Sequence, residues 1–380
     1  MEKNQMIENA LAAFRTLLEE QLARVERMEA QAESEKKAKQ CLTIGIIDGD
    51  GIGPIIVGQA QRVAEKLLEK EIENGTVKLK RIEGLTIENR LATGKTLPDG
   101  VLDAIKECDV LLKGPTTTPK GGNMESANVA LRRELDLFAN VRPVSLPEKG
   151  IDWAFFRENT EGEYVLGSRG VQLGDKMAVD FKVTTTLGTE RIARAAFEFA
   201  RRNGKKNIAI VTKANIMKKT DGNFSAICHE VATDYPELIL EDWYVDIMAA
   251  NLINESMASR FEVFVLPNLY GDILTDEAAQ IQGGVGTAGS ANTGDRYGMF
   301  EAIHGSAPRM VEQGIAEYAN PASILRALVM LLDHAGLSDH AKRLTDAIAK
   351  TDADASVRVT GDRDGATCKQ YTDALLQNLT

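Results

Sequence analysis

The sequence predicts an α/β protein of two domains or lobes, preceded by a separate N-terminal helix. Three observations predict it. A chain of 380 residues can bury a substantial core and carry more than one domain. From Leu42 onward, short apolar runs alternate with amphipathic helical periods. Residues 1 to about 40 follow another pattern and contain neither Gly nor Pro.

In that first segment Ile7, Leu11, Phe14, Leu18, Val25, Met28 and Ala32 fall close to a 4-3 spacing, with Gln21 as the polar interruption. The spacing predicts a helix with one apolar stripe. A helix this long must bury its stripe, either on its own domain or by self-association or docking to a partner. Next, the run 42–47 is a strand, followed by a glycine-rich turn and an amphipathic helix from about 55 to 69. Further strands are expected at 110–112, 153–156, 208–211 and 263–266, each short, apolar and bounded by polar residues. Helical periods occupy 190–202, 223–233 and 324–335. Strands alternating with helices imply a sheet with crossover helices.

The composition, 43% hydrophobic and 27% charged, is that of a soluble globular protein. A formal net charge of −11 argues against nucleic-acid and anionic-membrane partners, which need a basic face. Cys41, Cys108, Cys228 and Cys368 are far apart and include no Cys-x-x-Cys pair. They read as reduced thiols, neither a disulfide framework nor a zinc site. No stretch approaches the roughly 20 apolar residues of a membrane span. The N-terminus lacks the apolar run of a secretory signal. A soluble, cytoplasmic protein is expected.

Several motifs carry chemistry. The turn Gly49-Asp50-Gly51-Ile52-Gly53-Pro54 stands where a dinucleotide phosphate loop would, but Pro54 takes the third glycine's place. A strand-to-helix turn needs glycines in any case, so alone it says little. The segment Lys113-Gly114-Pro115-Thr116-Thr117-Thr118-Pro119 leads through Gly121-Gly122 to Ser126, Asn128 and Arg132, then to Arg142 and Arg157. Guanidinium forks suit a polycarboxylate, whereas any one arginine alone reads as a surface salt bridge. Lys213-Ala214-Asn215-Ile216-Met217 follows an apolar strand, at the end where α/β sheets place their sites. Asp272 and Asp276 would share one face of a helix, and like charges so placed suit a hard cation such as Mg²⁺ or Mn²⁺. Helix capping accounts equally for Asp272. His304, beside Gly305, reads either as a structural histidine or as a partner for a planar ligand.

In this order the motifs resemble the isocitrate and 3-isopropylmalate dehydrogenase family, the β-decarboxylating dehydrogenases. The strings that carry the resemblance also include Arg157-Glu158-Asn159-Thr160-Glu161, Asn268-Leu269-Tyr270-Gly271-Asp272 and His304-Gly305-Ser306-Ala307-Pro308. It runs from about residue 42 to the C-terminus and leaves the N-terminal helix outside. The resemblance implies a two-lobed α/β fold without a Rossmann domain. It would have a large domain at 41–137 and 283–380, a small one at 138–161 and 187–282, and a clasp at 162–186. Residues 1–40 form the extra helix. The substrate would be held by Thr118, Ser126, Asn128, Arg132, Arg142, Arg157, Tyr164, Lys213 and Asn215. Asp246, Asp272 and Asp276 would hold Mg²⁺ or Mn²⁺. Lys213, with Asp246, would act as base and Tyr164 as acid. By the same resemblance Lys213 and Asp246 come from the neighbouring subunit, so a homodimer or higher homo-oligomer shares each active site. The nicotinamide cofactor would meet Thr117, Glu301, His304, Gly305, Ser306, Ala307, Arg309, Met310 and Asn320.

Within the family, Ser-x-Asn at Ser126 and Asn128 selects isocitrate, because a polar pair facing an alkyl group would lose hydrogen bonds to water. Isopropylmalate, homoisocitrate and tartrate are the alternatives. NAD-linked members carry Asp-Ile after the His-Gly-x-Ala-Pro string and NADP-linked members Lys-Tyr. This chain has Arg309-Met310. Arg309 suits a 2′-phosphate, yet Ala319 before Asn320 and a tail without a Tyr and Arg pair at 353–368 favour NAD. Two other classes stand against an enzyme: a non-catalytic regulatory subunit, which would lack a base, acid or metal ligand, and an interaction protein working through the N-terminal helix.

Overall fold

The computed structural model describes residues 3–32, 41–119, 124–165, 170–284 and 288–379. The Gly121-Gly122 turn, residues 33–40 of the N-terminal segment and 166–169 of the expected clasp lie outside the described residues.

Helix α1 (Lys3–Ala32) comes first. Strand β1 (Leu42–Ile47) leads into α2 (Gly53–Leu67), the short α3 (Glu69–Glu73) and β2 (Val77–Arg81). Helices α4 (Ile87–Thr93) and α5 (Val101–Lys106) precede β3 (Val110–Lys113), α6 (Ala127–Glu134), β4 (Ala139–Leu146) and β5 (Ile151–Glu158). A hairpin of β6 (Val171–Leu173) and β7 (Met177–Val179) follows. Next come α7 (Thr186–Arg202), β8 (Asn207–Thr212), α8 (Thr220–Ala232), β9 (Ile239–Tyr244), α9 (Val245–Leu252) and α10 (Glu255–Ala258). After β10 (Val263–Leu266), α11 (Asn268–Ile281), β11 (Gly289–Thr293) and β12 (Gly298–Ala302), the chain ends in helices. These are α12 (Pro308–Glu312), α13 (Ala322–His334), α14 (Ser338–Asp352) and α15 (Cys368–Asn378). The expected strands and helical periods from residue 42 onward fall on β1, α2, β3, β5, α7, β8, α8, β10 and α13.

The chain divides into two compact units, Lys39–Ala154 with Thr275–Thr380 and Met1–Ala38 with Phe155–Leu274. In the first, strands run β2-β1-β3-β12-β11-β4, parallel from β2 to β12 and antiparallel on both sides of β11. Side chains alternate across the sheet, as strand geometry requires. Ile44, Ile46 and Leu112 join α2, α13, α14 and α15 in one apolar cluster, while Ile47 and Leu111 join α5 and α6 in another. Each fully buried Leu or Ile there contributes about 1.5–3 kcal/mol relative to exposure. In the second unit the order is β5-β10-β8-β9, with β10, β8 and β9 parallel. Phe155 stacks on Phe264 with ring centroids 4.2 Å apart. Thr185 caps α7, its side chain accepting from Gly188 N.

Helix α1 packs within this second unit on part of the expected stripe and on Leu17 beside it. Ile7, Leu11, Phe14 and Leu18 are exposed, whereas Leu17 and Met28 are buried. Leu17 sits with Val165, Phe181 and Val183, and Phe14 stacks on Phe181 at 5.1 Å. The helix turns so that Arg24 meets Glu161, 2.6 Å away, since a buried carboxylate must be paired. Among the described residues no helix is long and apolar enough to cross a membrane.

Candidate active site

In the unit built on 39–154 and 275–380, three loops at the strand ends are tied together. Gly49 and Gly51 adopt positive φ of 71° and 61°, which glycine allows at little cost. A Cβ at Gly51 would stand 2.0 Å from the Ser306 carbonyl oxygen, so backbone approaches backbone here. Asp50 N donates to Pro115 O at 2.7 Å and Ile52 N to Ser306 O at 3.0 Å. The buried Asp50 carboxylate accepts from Ile87 N and Thr117 N, each at 2.7 Å. Thr117 Oγ1 and Ser306 Oγ share a 2.7 Å hydrogen bond. The fully buried Arg90 donates to the carbonyls of Thr96, Thr117 and Glu125. This rigid cradle of glycine backbone and hydroxyls has the chemistry a nucleotide cofactor needs. His304 lies on its third loop, with Nδ1 3.0 Å from Gly305 O, and burial pushes its pKa down toward the neutral ring. Thr118, Gly305 and Arg309 are exposed; Ala307 and Met310 are half-buried. Asn320 Oδ1 accepts from Ala322 N at the start of α13.

Behind the arginines runs a buried polar network. Arg132, one helical turn after Asn128 on α6, donates to Glu301 Oε1 at 3.3 Å. Glu301 also takes Lys113 Nζ at 3.1 Å and Asn292 Nδ2 at 2.9 Å, and Asn292 Oδ1 takes Asn140 Nδ2 at 3.0 Å. Glu301, expected at the cofactor, is thus buried and committed to Lys113, Arg132 and Asn292. Arg132 Nε is buried with no hydrogen-bond partner, a donor left over for a ligand. Asn128 Oδ1 accepts from Thr116 Oγ1 at 3.0 Å, and Ser126 opens α6 without making a cap bond. The buried Arg142, on β4, donates to Thr275 Oγ1 at 2.6 Å and Asp276 Oδ1 at 2.8 Å.

In the other unit, Arg157 is the penultimate residue of β5 and is 1% exposed. Its Nε and one terminal nitrogen donate to Asn268 Oδ1 at 2.9 and 2.6 Å, and the other terminal nitrogen bonds Asp272. Gly271 makes room for that stem, since a Cβ there would meet Arg157 Cβ at 2.6 Å. Tyr164 OH donates to Asp272 Oδ2 at 2.7 Å. Elsewhere in this unit Lys213 Nζ meets Asp246 Oδ1 at 2.5 Å, and that hydrogen bond holds the Asp246 carboxyl below the usual carboxylate range. The Lys213 backbone is anchored through its N–H to the buried Asp221 at 2.7 Å. Asn215 is exposed.

On α11, Asp272 and Asp276 stand one turn apart, while Leu274 and Ala278 are buried. Both carboxylates keep access to solvent, with side chains 37% and 62% exposed. Two reachable hard-oxygen donors at this spacing fit an octahedral divalent cation. Among the described residues, no three His, Cys, Asp or Glu side chains form a metal-binding group.

Comparison with known proteins decides the family. A family model described as isocitrate/isopropylmalate dehydrogenase matches residues 43–375. The chain belongs to the isocitrate/isopropylmalate dehydrogenase family. The mitochondrial NAD isocitrate dehydrogenase subunit 2 of Schizosaccharomyces pombe is 38% identical over 354 residues, covering 91% of this chain and 90% of that protein. The 3-isopropylmalate dehydrogenase of Archaeoglobus fulgidus is 39% identical over 316 residues, covering 81% and 90%. The crystal structure of isocitrate dehydrogenase from Methylococcus capsulatus matches with a TM-score of 0.78 at 35% identity, covering 89% of this chain and 99% of that one.

As an oxidoreductase of the isocitrate/isopropylmalate dehydrogenase family, the chain carries one element that the family match leaves out, helix α1. The motif strings pointed to the arginines, aspartates, Lys213 and Tyr164. They did not point to Arg90, Asn140, Asn292 or Arg24, nor to Glu301 as the partner of Lys113. The available signal was Lys113 itself, a cation closing the apolar run Val110-Leu111-Leu112, because a charge in a buried strand demands a counter-charge.

Proposed function

We propose that this chain catalyses the metal-dependent oxidative decarboxylation of isocitrate to 2-oxoglutarate, with NAD preferred over NADP. The observation that carries it is the polar pair Ser126 and Asn128 at the start of α6, one turn ahead of the arginine whose Nε is left over. A substrate that ends there in a carboxylate gains hydrogen bonds, and one that ends in a branched alkyl group forfeits them.

Arg132, Arg142 and Arg157 bind the substrate carboxylates, their guanidinium groups already oriented by Glu301, Thr275 and Asn268. Asp272 and Asp276 would hold Mg²⁺ or Mn²⁺ with Asp246 of the partner subunit; when bound, the ion acidifies the C2 hydroxyl and steadies negative charge after decarboxylation. Thr117, His304 and Ser306 would hold NAD, which when bound would supply the acceptor for the C2 hydride. Lys213 with Asp246 removes the hydroxyl proton, and Tyr164 returns a proton to C3 once carbon dioxide has left. Tyr164 is held toward this task by Asp272.

A homodimer with shared sites is part of the proposal. Tyr244, Ile247 and Ile253, on or beside the helix that carries Asp246, are exposed, as is Ile273 next to Asp272. A second copy of the chain would cover them. A reducing compartment such as the cytoplasm fits four free cysteines. One residue favours NADP: Arg309, exposed on α12, is suited to a 2′-phosphate.

The test offers isocitrate and 3-isopropylmalate in turn, with Mg²⁺ and either NAD or NADP, and follows formation of the reduced nicotinamide. Isocitrate with NAD is expected to be fastest; preference for 3-isopropylmalate sinks the role of Ser126 and Asn128, and preference for NADP makes Arg309 the deciding contact. Changing Ser126 and Asn128 together to Ala is expected to raise the isocitrate KM about 10- to 100-fold, as loss of one or two bonds to a charged group does. The 3-isopropylmalate rate in that variant should hold or rise. Equal losses for both substrates would contradict the assignment.

A further inference from the structure

The N-terminal helix reaches the substrate-binding machinery through a cation. Arg24, on α1, donates to Glu161 Oε1 at 2.6 Å and to Thr160 Oγ1 at 2.7 Å. Its side chain is 14% exposed and that of Glu161 3%. Both acceptors belong to the bend that follows Arg157 at the end of β5. In that bend Glu158 takes Thr160 N, Thr160 Oγ1 and Glu161 N, at 2.9, 2.6 and 2.7 Å. The Glu161 carboxylate also accepts from Thr185 N at 2.8 Å. The Glu161 main-chain carbonyl takes Asn268 Nδ2 at 2.8 Å, which turns the amide so that Asn268 Oδ1 faces Arg157. Two Arg157 nitrogens then bond that oxygen, and a third reaches Asp272. Hydrogen bonds at the two ends of Glu161, its carboxylate and its main-chain carbonyl, link a helix outside the family match to the guanidinium of the site.

We propose that Arg24 is a positioning residue for Arg157, acting through Thr160, Glu161 and Asn268. The proposal rests on the reading of Arg157 as a substrate-carboxylate ligand. The physical reason is the crowding of two carboxyl groups, Glu158 and Glu161, 3% and 2% exposed and three residues apart. Left without a cation, they repel each other in a poorly solvated bend. Burial and the neighbouring Glu161 push Glu158 up to about 7, and Arg24 acts against this rise. With Arg24 in place the bend is drawn onto α1 and the Glu161 carbonyl is fixed; without it, that carbonyl shifts and the Asn268 amide loses its reason to face Arg157. Lys can supply the charge but not the fork that reaches Glu161 and Thr160 together.

The experiment compares Arg24→Met and Arg24→Lys with the full-length wild type. In Arg24→Met the isocitrate KM is expected to rise about tenfold, with kcat changed less than about threefold, the pattern of lost binding geometry rather than lost folding. Arg24→Lys is expected to fall between. A KM within about twofold of wild type in the folded variants, or a fall in kcat alone, overturns the proposal. If Arg24→Met does not fold, Arg24→Lys carries the test by the same criterion. Failure of the functional reading shows separately, as a wild type inactive with isocitrate. Amide hydrogen exchange then reads the positioning without substrate: both 158–164 and 268–272 should exchange faster in the variants, and unchanged exchange at 268–272 overturns the proposal.

Discussion

Replacing Lys213 by Met is expected to lower turnover of isocitrate by about 10²–10⁴-fold, the range that a positioned proton acceptor supplies, while substrate still binds. The side chain contacts Asp246 at 2.5 Å and its backbone is pinned to Asp221, so the side-chain nitrogen has a defined place and a partner that can relay a proton. Arg132, Arg142 and Arg157 are untouched by the change, which is why KM should stay within a few-fold of wild type. Steady-state kinetics at saturating isocitrate and NAD check this. Turnover within about tenfold of wild type would remove Lys213 from the base role.

The second large effect is on stability. Glu301→Gln is expected to destabilise the protein by about 3–5 kcal/mol, the cost of breaking a buried ion pair from one side. Glu301 is opposed by burial, yet the charges of Lys113 and Arg132 outweigh it and hold the carboxyl down at about 2, against an ordinary 4.5. Burial pushes the Lys113 pKa down, and Glu301 resists that shift, so Gln at 301 would leave a fully buried ammonium without its counter-charge. The sign for pH follows. With the folded value below the unfolded one, this contribution is fully present above the ordinary carboxylate range and is lost as pH falls through the folded value near 2. Thermal melting at neutral pH should show Glu301→Gln lower by roughly 5–15 °C, and the variant should lose less than wild type on acidification. The double change Lys113→Met with Glu301→Gln should recover part of the loss, because the orphaned charge is gone. A melting temperature unchanged in Glu301→Gln would contradict the pairing.

The central strands were legible because their strings are short and apolar: β1, β3, β8 and β10 are buried over most or all of their length. The strands at the two ends of the sheet order were not. β2 reads Val-Lys-Leu-Lys-Arg and β9 Ile-Leu-Glu-Asp-Trp-Tyr, with charges on half-exposed edges where pairing on one side suffices. β11 hides behind Gly, Ser and Asn, whose burial depends on Asn140, 150 residues away in sequence. The site shows the same division. Arg157, Tyr164, Asp272 and Lys213 stand in distinctive local strings, whereas Lys113 and Glu301 pair across 188 residues and Arg24 pairs with Glu161 across 137. The apolar period of α1 accounts for its length and for the contacts of Phe14 and Met28 but misses Arg24, because periodicity counts methyl groups and cannot see where a buried carboxylate waits for a cation.

The central claim is that oxidation and decarboxylation occur together on a 2-hydroxy tricarboxylate. The most direct test incubates the wild-type protein with isocitrate, Mg²⁺ and NAD, and measures reduced nicotinamide and released carbon dioxide in the same sample. Equal amounts of the two are expected, with neither formed when Mg²⁺ is chelated. Reduction without carbon dioxide, or undiminished activity under chelation, would contradict it.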